Sequence, residues 1–281
     1  MSHFTVLVIG ASVDEQLAPY DEQKQVLEYE TDCHCVGWQA QIDASKETDK
    51  QVGSIDTFRK KHDKIPADKR PDWKEFIKPY VELENKLLRQ HPLYNKPNPK
   101  CKECHGSGKM MTTYNPNSKW DWYSIGGRWT GFFKVKPEAI DRVVLGEPGL
   151  MTEKPKDQLK ADIVRKRDID FEVMEKEGLI AARKGFNEAF KKFPKNAEMR
   201  DLMYGIQPDI SKKAYIEQVR RRSVLQTFAV VKDGKWNEQG EIGWGGAISN
   251  RKSDDEWATE FKKLIDNLPD HTLLTVVDCH I

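Results

Sequence analysis

No charge of one sign dominates this chain. Its 46 Lys and Arg stand against 45 Asp and Glu, a net charge of +1. That balance removes the global field with which a strongly basic protein gathers nucleic acid or anionic lipid. No apolar run approaches the ~20 residues of a membrane-spanning helix. The opening residues lack the basic region and the cleavage site of a signal peptide. No Ser-His-Asp order, phosphate-binding glycine loop or HExxH pair is present. Cysteine is sparse, five in 281 residues, and without an export signal these read as thiols or metal ligands rather than a disulfide framework. With 32% charged residues, the expectation is a cytosolic protein with long solvated helices.

Against these absences, Cys101-Lys-Glu-Cys104-His-Gly-Ser-Gly108 stands out. Cys101 and Cys104 have the spacing that closes two thiolates onto one tetrahedral ion, and Cys33 and Cys35 supply a second pair. Four thiolates leave no open position, so the expected cofactor is a structural Zn2+. His34 and His105 are alternative ligands. A redox role for the Cys-x-x-Cys pair would want a strand before it and a helix opening at it. A Pro/Asn/Lys loop precedes it instead.

The pattern of apolar residues predicts an α+β fold, with a mixed or antiparallel sheet built from both chain ends and an inserted helical region. His3–Ile9 and Leu273 to Val277 read as buried strands at the two ends. Val224 to Val231 reads as a further strand followed by a hairpin turn at Asp233-Gly234. Ser253 and Glu256 form a capping box ahead of an amphipathic helix carrying Trp257, Phe261, Leu264 and Ile265. Pro79 is expected to split or kink the helix around Trp73 to Leu88. The predicted division is a core of 1–136 plus 223–281, with 137–222 as a helical arm. Gly243-Trp-Gly-Gly246 reads as a second glycine-aromatic turn.

Lys119 to Phe133 interleaves Trp120, Trp122, Tyr123 and Trp129 with Gly126-Gly127, which could stack bases or could build a tightly twisted sheet. Asp121 and Arg128 could pair with each other. His3, His271, His280 and Asp278 sit on or beside the terminal strands, as an acid–base pair, a metal site or polar strand ends. The clusters Arg165-Lys-Arg167, Lys191-Lys192 and Arg220-Arg221-Arg222 are balanced by neighbouring acids and read as solvated helix faces. On the arm, Phe186, Phe190 and Phe193 form an aromatic stripe suited to anchoring a partner or a second copy of the chain, with Arg220, Arg221 and Arg222 beside it.

The opening Met-Ser-His-Phe-Thr-Val-Leu-Val-Ile-Gly with Gln16-Leu-Ala-Pro-Tyr-Asp21, the block Tyr114 to Trp129, and the ending Val276-Val-Asp-Cys-His-Ile281 resemble a group of bacteriophage proteins of unassigned function. The resemblance spans both ends and the middle and leaves 153–222 uncovered. In size and style the chain is also similar to the phage Gabija anti-defence proteins, on no single motif. That resemblance implies a non-catalytic, self-associating inhibitor. It would bind a host defence protein complex in the cytoplasm of an infected bacterium, without contacting membrane or nucleic acid directly. The alternative is a metal-dependent or nucleic-acid-processing enzyme using His3, Asp278 and His280.

Overall fold

The structure is a computed structural model that describes residues 2–66, 69–150, 152–208, 210–243 and 248–281. The chain divides into two compact units, Met1–Gln25 with Tyr114–Ile281, and Val26–Thr113.

The first unit is built on a seven-stranded mixed sheet. Its central pair is formed by the two ends of the chain. His3–Ile9 runs antiparallel to Leu273–His280, with His3 opposite His280 and Ile9 opposite Leu274. On one side His3–Ile9 pairs in parallel with Ala229–Lys232, whose hairpin return is Lys235–Glu238. On the other side Leu273–His280 pairs with Trp122–Gly127 and, further along, with Ile163–Arg165. The strand Trp122–Gly127 pairs in turn with Glu147–Pro148. The expected α+β class, with its sheet made from both ends, is what the chain forms.

Alternation along the central strands buries both faces. Leu7, Ile9, Leu274 and Val276 pack beneath Trp257, Phe261 and Ile265 of the helix Asp254–Asp266, together with Phe133, Val164 and Ile169. The opposite face presents Phe4, Val6, Val8, Val277 and Cys279 to Leu17 and Trp120. The capping box forms as its sequence indicates, with Ser253 and Glu256 satisfying each other's backbone amides. Asp233 and Gly234 take the positive φ values, 51° and 70°, of a tight hairpin turn.

The predicted boundaries need correction. Residues 137–222 are not an arm apart from the sheet. Ala161, Val164 and Ile169 belong to its main core, and Ile163–Arg165 is one of its strands. The helices Phe171–Lys192, Ala197–Tyr204 and Lys212–Arg221 belong to the same unit, which has a small cluster of Phe186, Ala189 and Ile206 among them. The inserted piece is Val26–Thr113. The sheet unit closes across the point of insertion: Asn115 donates from Nδ2 to the carbonyls of Pro19 and Asp21, at 2.8 and 2.9 Å.

The second unit contains the helices Trp38–Val52, Ile55–Asp63 and Trp73–Gln90 and one antiparallel strand pair, Tyr29–Asp32 with Lys109–Thr112. Asp72 caps the last helix by accepting from the amides of Lys74 and Glu75. That helix continues through Pro79. The next residue explains why the interruption is tolerated. Tyr80 is 1% exposed, packs edge-on against Phe58 and donates to Asp49 at 2.8 Å. Packing and a partly buried hydrogen bond offset the one ladder bond a proline removes. The second glycine-aromatic turn, at 243–246, falls almost wholly outside the described residues.

Candidate metal centre

Cys33 and Cys35 follow the strand Tyr29–Asp32, and Cys101 and Cys104 precede its partner Lys109–Thr112. The strand pairing therefore draws together thiols far apart in sequence, and the amide of Cys33 donates to the carbonyl of Gly108. The four sulfurs lie within 4.8 Å of one another. Cys33 Sγ is 3.7 Å from Cys101 Sγ, and Cys35 Sγ is 3.4 Å from Cys104 Sγ. Four sulfurs bonded at ~2.3 Å to a tetrahedral ion stand roughly 3.8 Å apart, so the cage is close to the size a metal needs. Cys33 and Cys104 are buried and the other two partly exposed.

The backbone supplies the surroundings a thiolate cage requires. Burial would raise the Cys104 thiol, but the amides of Gly108 and Gly106 and the bonds from Cys35 and Cys101 pull it down to about 6. The amide of Cys35 lowers Cys33, but burial and the three neighbouring thiols push it up to about 12. Burial also raises Cys35, against the amide of Asn98. Cys104 is thus prepared as an anion, while Cys33 and Cys35 hold protons that a cation would displace. Four cysteines of this geometry can bind a metal ion, and a full set of thiolates is chosen by thiophilic ions. His34 and His105 are not part of the cluster.

A second group of chemistry-bearing side chains lies in the sheet unit, on one face of three neighbouring strands. His3, His280 and Trp122 are opposite one another in register. His3 Nδ1 meets Asp278 Oδ1 at 2.9 Å, and His280 Nδ1 meets Asp121 Oδ1 at 2.6 Å. The two imidazoles are edge to face with ring centres 5.0 Å apart. Trp122 stacks on His280 at 5.2 Å and remains 44% exposed. The expected Asp121–Arg128 pair does not form. Asp121 serves His280, and it is the Arg128 amide that donates to Asp278, at 2.9 Å. His271 is exposed and is not among these groups.

The glycine pair of the aromatic block now has a physical reason. A Cβ on Gly127 would fall 2.4 Å from Cβ and Oδ2 of Asp278, and one on Gly126 would fall 2.7 Å from Oδ2 of Asp162. Gly126 and Gly127 have positive φ, 80° and 55° respectively. Asp162, fully buried, accepts from the amides of Gly131, Phe132 and Gly146 and from Thr130 Oγ1. Two adjacent glycines thus let two buried carboxylates approach one turn. No motif marks Asp162 in the sequence; the only trace of it is the pair of glycines that makes room.

The proposed contact residues fare unevenly. Phe186 is 8% exposed and packs with Ala189, Ile206 and Tyr215, so it is a core residue and not a free anchor. Phe186 is buried because later residues, Ile206 and Tyr215, cover it. Phe190 is 37% exposed, stacked on Phe186 and covered by the Arg200 guanidinium at 4.2 Å from its ring centre. Phe193 lies against Tyr204. Arg220 and Arg221 pair with Glu217, and Arg222 pairs with Asp254 at 2.8 Å. Arg165 and Lys166 donate to the carbonyls of His271, Asp266 and Leu268, ordinary work at the end of a helix.

No protein family, curated protein or solved structure matches this chain.

Proposed function

We propose that this protein is a phage-encoded inhibitor that acts by binding a bacterial defence complex of the Gabija type. Its structural Zn2+ would be held by Cys33, Cys35, Cys101 and Cys104. The observation that carries this reading is the closed thiolate cage. A four-thiolate ion has no position for substrate or water, so it stiffens a surface and does no chemistry.

The surface it stiffens has the composition of a contact patch. Trp38, three residues after Cys35, is 61% exposed, and Val36 and Tyr94 are 36% and 38% exposed. Between Lys96 and Lys109 the loop also carries Lys100 and Lys102, against Glu103 alone. An exposed tryptophan on a rigid, basic support is the residue type that dominates binding energies. This patch takes the place of Phe186 as the leading contact candidate; Phe190, Arg220 and Arg221 remain as secondary ones.

The test is binding to a purified Gabija complex, with its nuclease activity as the readout. A stoichiometric, high-salt-resistant assembly with loss of nuclease activity is expected, weakened at least tenfold by Trp38→Ser. No assembly and unchanged nuclease activity would remove this reading. The enzyme alternative retains one supporting observation, the pair of carboxylate-held imidazoles His3 and His280.

A further inference from the structure

The geometry points to a second cation site in the sheet unit, independent of the thiolate cage and of the binding role: His3 and His280 together hold one borderline divalent transition-metal ion such as Zn2+, Co2+ or Ni2+. The first ground is hydrogen-bond accounting. An ionised carboxylate can only accept, so Asp278 and Asp121 fix the proton of each imidazole on Nδ1. This leaves Nε2 of each ring as the free nitrogen. Nε2 of His280 is buried and has no partner, in a residue only 6% exposed. A neutral His280 would bury a bare lone pair there, and a protonated one would bury an N–H aimed at nothing. Either is costly, and a bound ion removes the cost.

The second ground is charge. Asp121 and Asp278 bring two negative charges, and among the described residues their only ion-pair partners are His280 and His3. With both imidazoles neutral, a dication balances the site. The third ground is spacing. Two imidazoles bonded to one tetrahedral ion at about 2.0–2.1 Å place their ring centres roughly 5 Å apart. His3 and His280 are 5.0 Å apart. A carboxylate behind each ligating imidazole is also the usual outer support of a histidine metal site, because it fixes the ring and raises its basicity. Two protein ligands leave coordination positions for solvent. The thiolate cage has no such positions.

Cobalt titration of the full-length protein tests this, because thiolate and imidazole sites give different spectra. The wild type is expected to take two equivalents of Co2+. One gives the near-ultraviolet sulfur charge-transfer band and the other adds visible absorption without it. His3→Gln with His280→Gln should lose only the second, and Cys101→Ser with Cys104→Ser only the thiolate band. A wild type that stops at one thiolate-bound equivalent overturns the proposal, as does a second equivalent that survives in the histidine variant. Should that variant not fold, long-range 1H–15N spectra of the wild type decide. Nε2 shifts of both rings on adding Zn2+ support the site. Two histidinium–aspartate pairs unmoved by metal at pH 7 overturn it.

Discussion

The two units of this chain are held together by different means. The sheet unit has a conventional interior in which Leu7, Leu274, Phe133, Trp257 and Phe261 are all at most 1% exposed. Among the described residues, Tyr80 is the only one of the largest fully buried side chains that lies in Val26–Thr113. A segment of that size with so little apolar interior cannot offset the entropy of ordering its chain by burial alone. The four cysteines sit in the two loops that meet at one end of a strand pair whose strands are only four residues long. The comparison teaches where a structural ion would add most: the thiolate cluster lies where apolar packing runs out.

The largest test of that difference is metal removal. Chelation, or Cys101→Ser with Cys104→Ser, should cost Val26–Thr113 on the order of 10 kcal/mol, as structural sites commonly contribute. Limited proteolysis should then cut within that segment while the sheet unit stays protected. Equal loss of both units would show that the division is wrong. Trp257→Ala is the reciprocal change. It removes a fully buried indole whose Nε1 donates to the Thr227 carbonyl at 2.9 Å. It should cost ~3–5 kcal/mol in denaturant unfolding of the sheet unit and leave metal affinity unchanged.

The pH dependence sharpens the contrast further, because the two shifted thiols act in opposite directions. With Cys104 lowered to about 6, its stabilisation of the metal-free unit is complete above the ordinary value near 9 and is lost as pH falls through about 6. With Cys33 raised to about 12, its contribution is complete below 9 and is lost as pH rises through 12. The metal-free unit should therefore be most stable near pH 9. Metal uptake at pH 7 should release protons and tighten as pH rises, since the metal takes thiolates. Calorimetry in two buffers of different ionisation enthalpy measures that release. A heat of binding independent of buffer would contradict it.

What could be read from the sequence follows the range of the interactions involved. The strand His3–Ile9, the Ser253–Glu256 capping box and the Asp233-Gly234 turn are each written within a few residues, and all three form. The cysteines were legible because thiol spacing is itself local, and their joining needed only that two loops meet. The insertion at Val26–Thr113 was not legible. Its boundary is set by Asn115 reaching Pro19 and Asp21, a contact across the whole inserted segment. Asp162 was invisible for the same reason: its partners at Thr130, Gly131, Phe132 and Gly146 are distant in sequence. Periodicity placed Phe186 correctly on a helix face but could not say that Ile206, from the segment after the next helix, and Tyr215, from a later helix, would cover it.

That last ambiguity yields the smallest and most selective pair of effects. Phe186→Ala empties a buried position and should cost ~3 kcal/mol or more, lowering any binding only through lost fold. Arg221→Ala removes an exposed side chain whose contact with Glu217, at 3.9 Å, is long and open to solvent. Its stability cost should stay within about 0.5 kcal/mol. If the secondary contact surface includes this helix end, Arg221→Ala weakens partner binding at unchanged melting temperature, a separation that Phe186→Ala cannot give. Thermal unfolding and binding measured on the same two variants distinguish a surface residue from a core one. A stable Phe186→Ala protein would mean that the small cluster around Ile206 contributes little and that the sheet unit, too, has a region where packing runs thin.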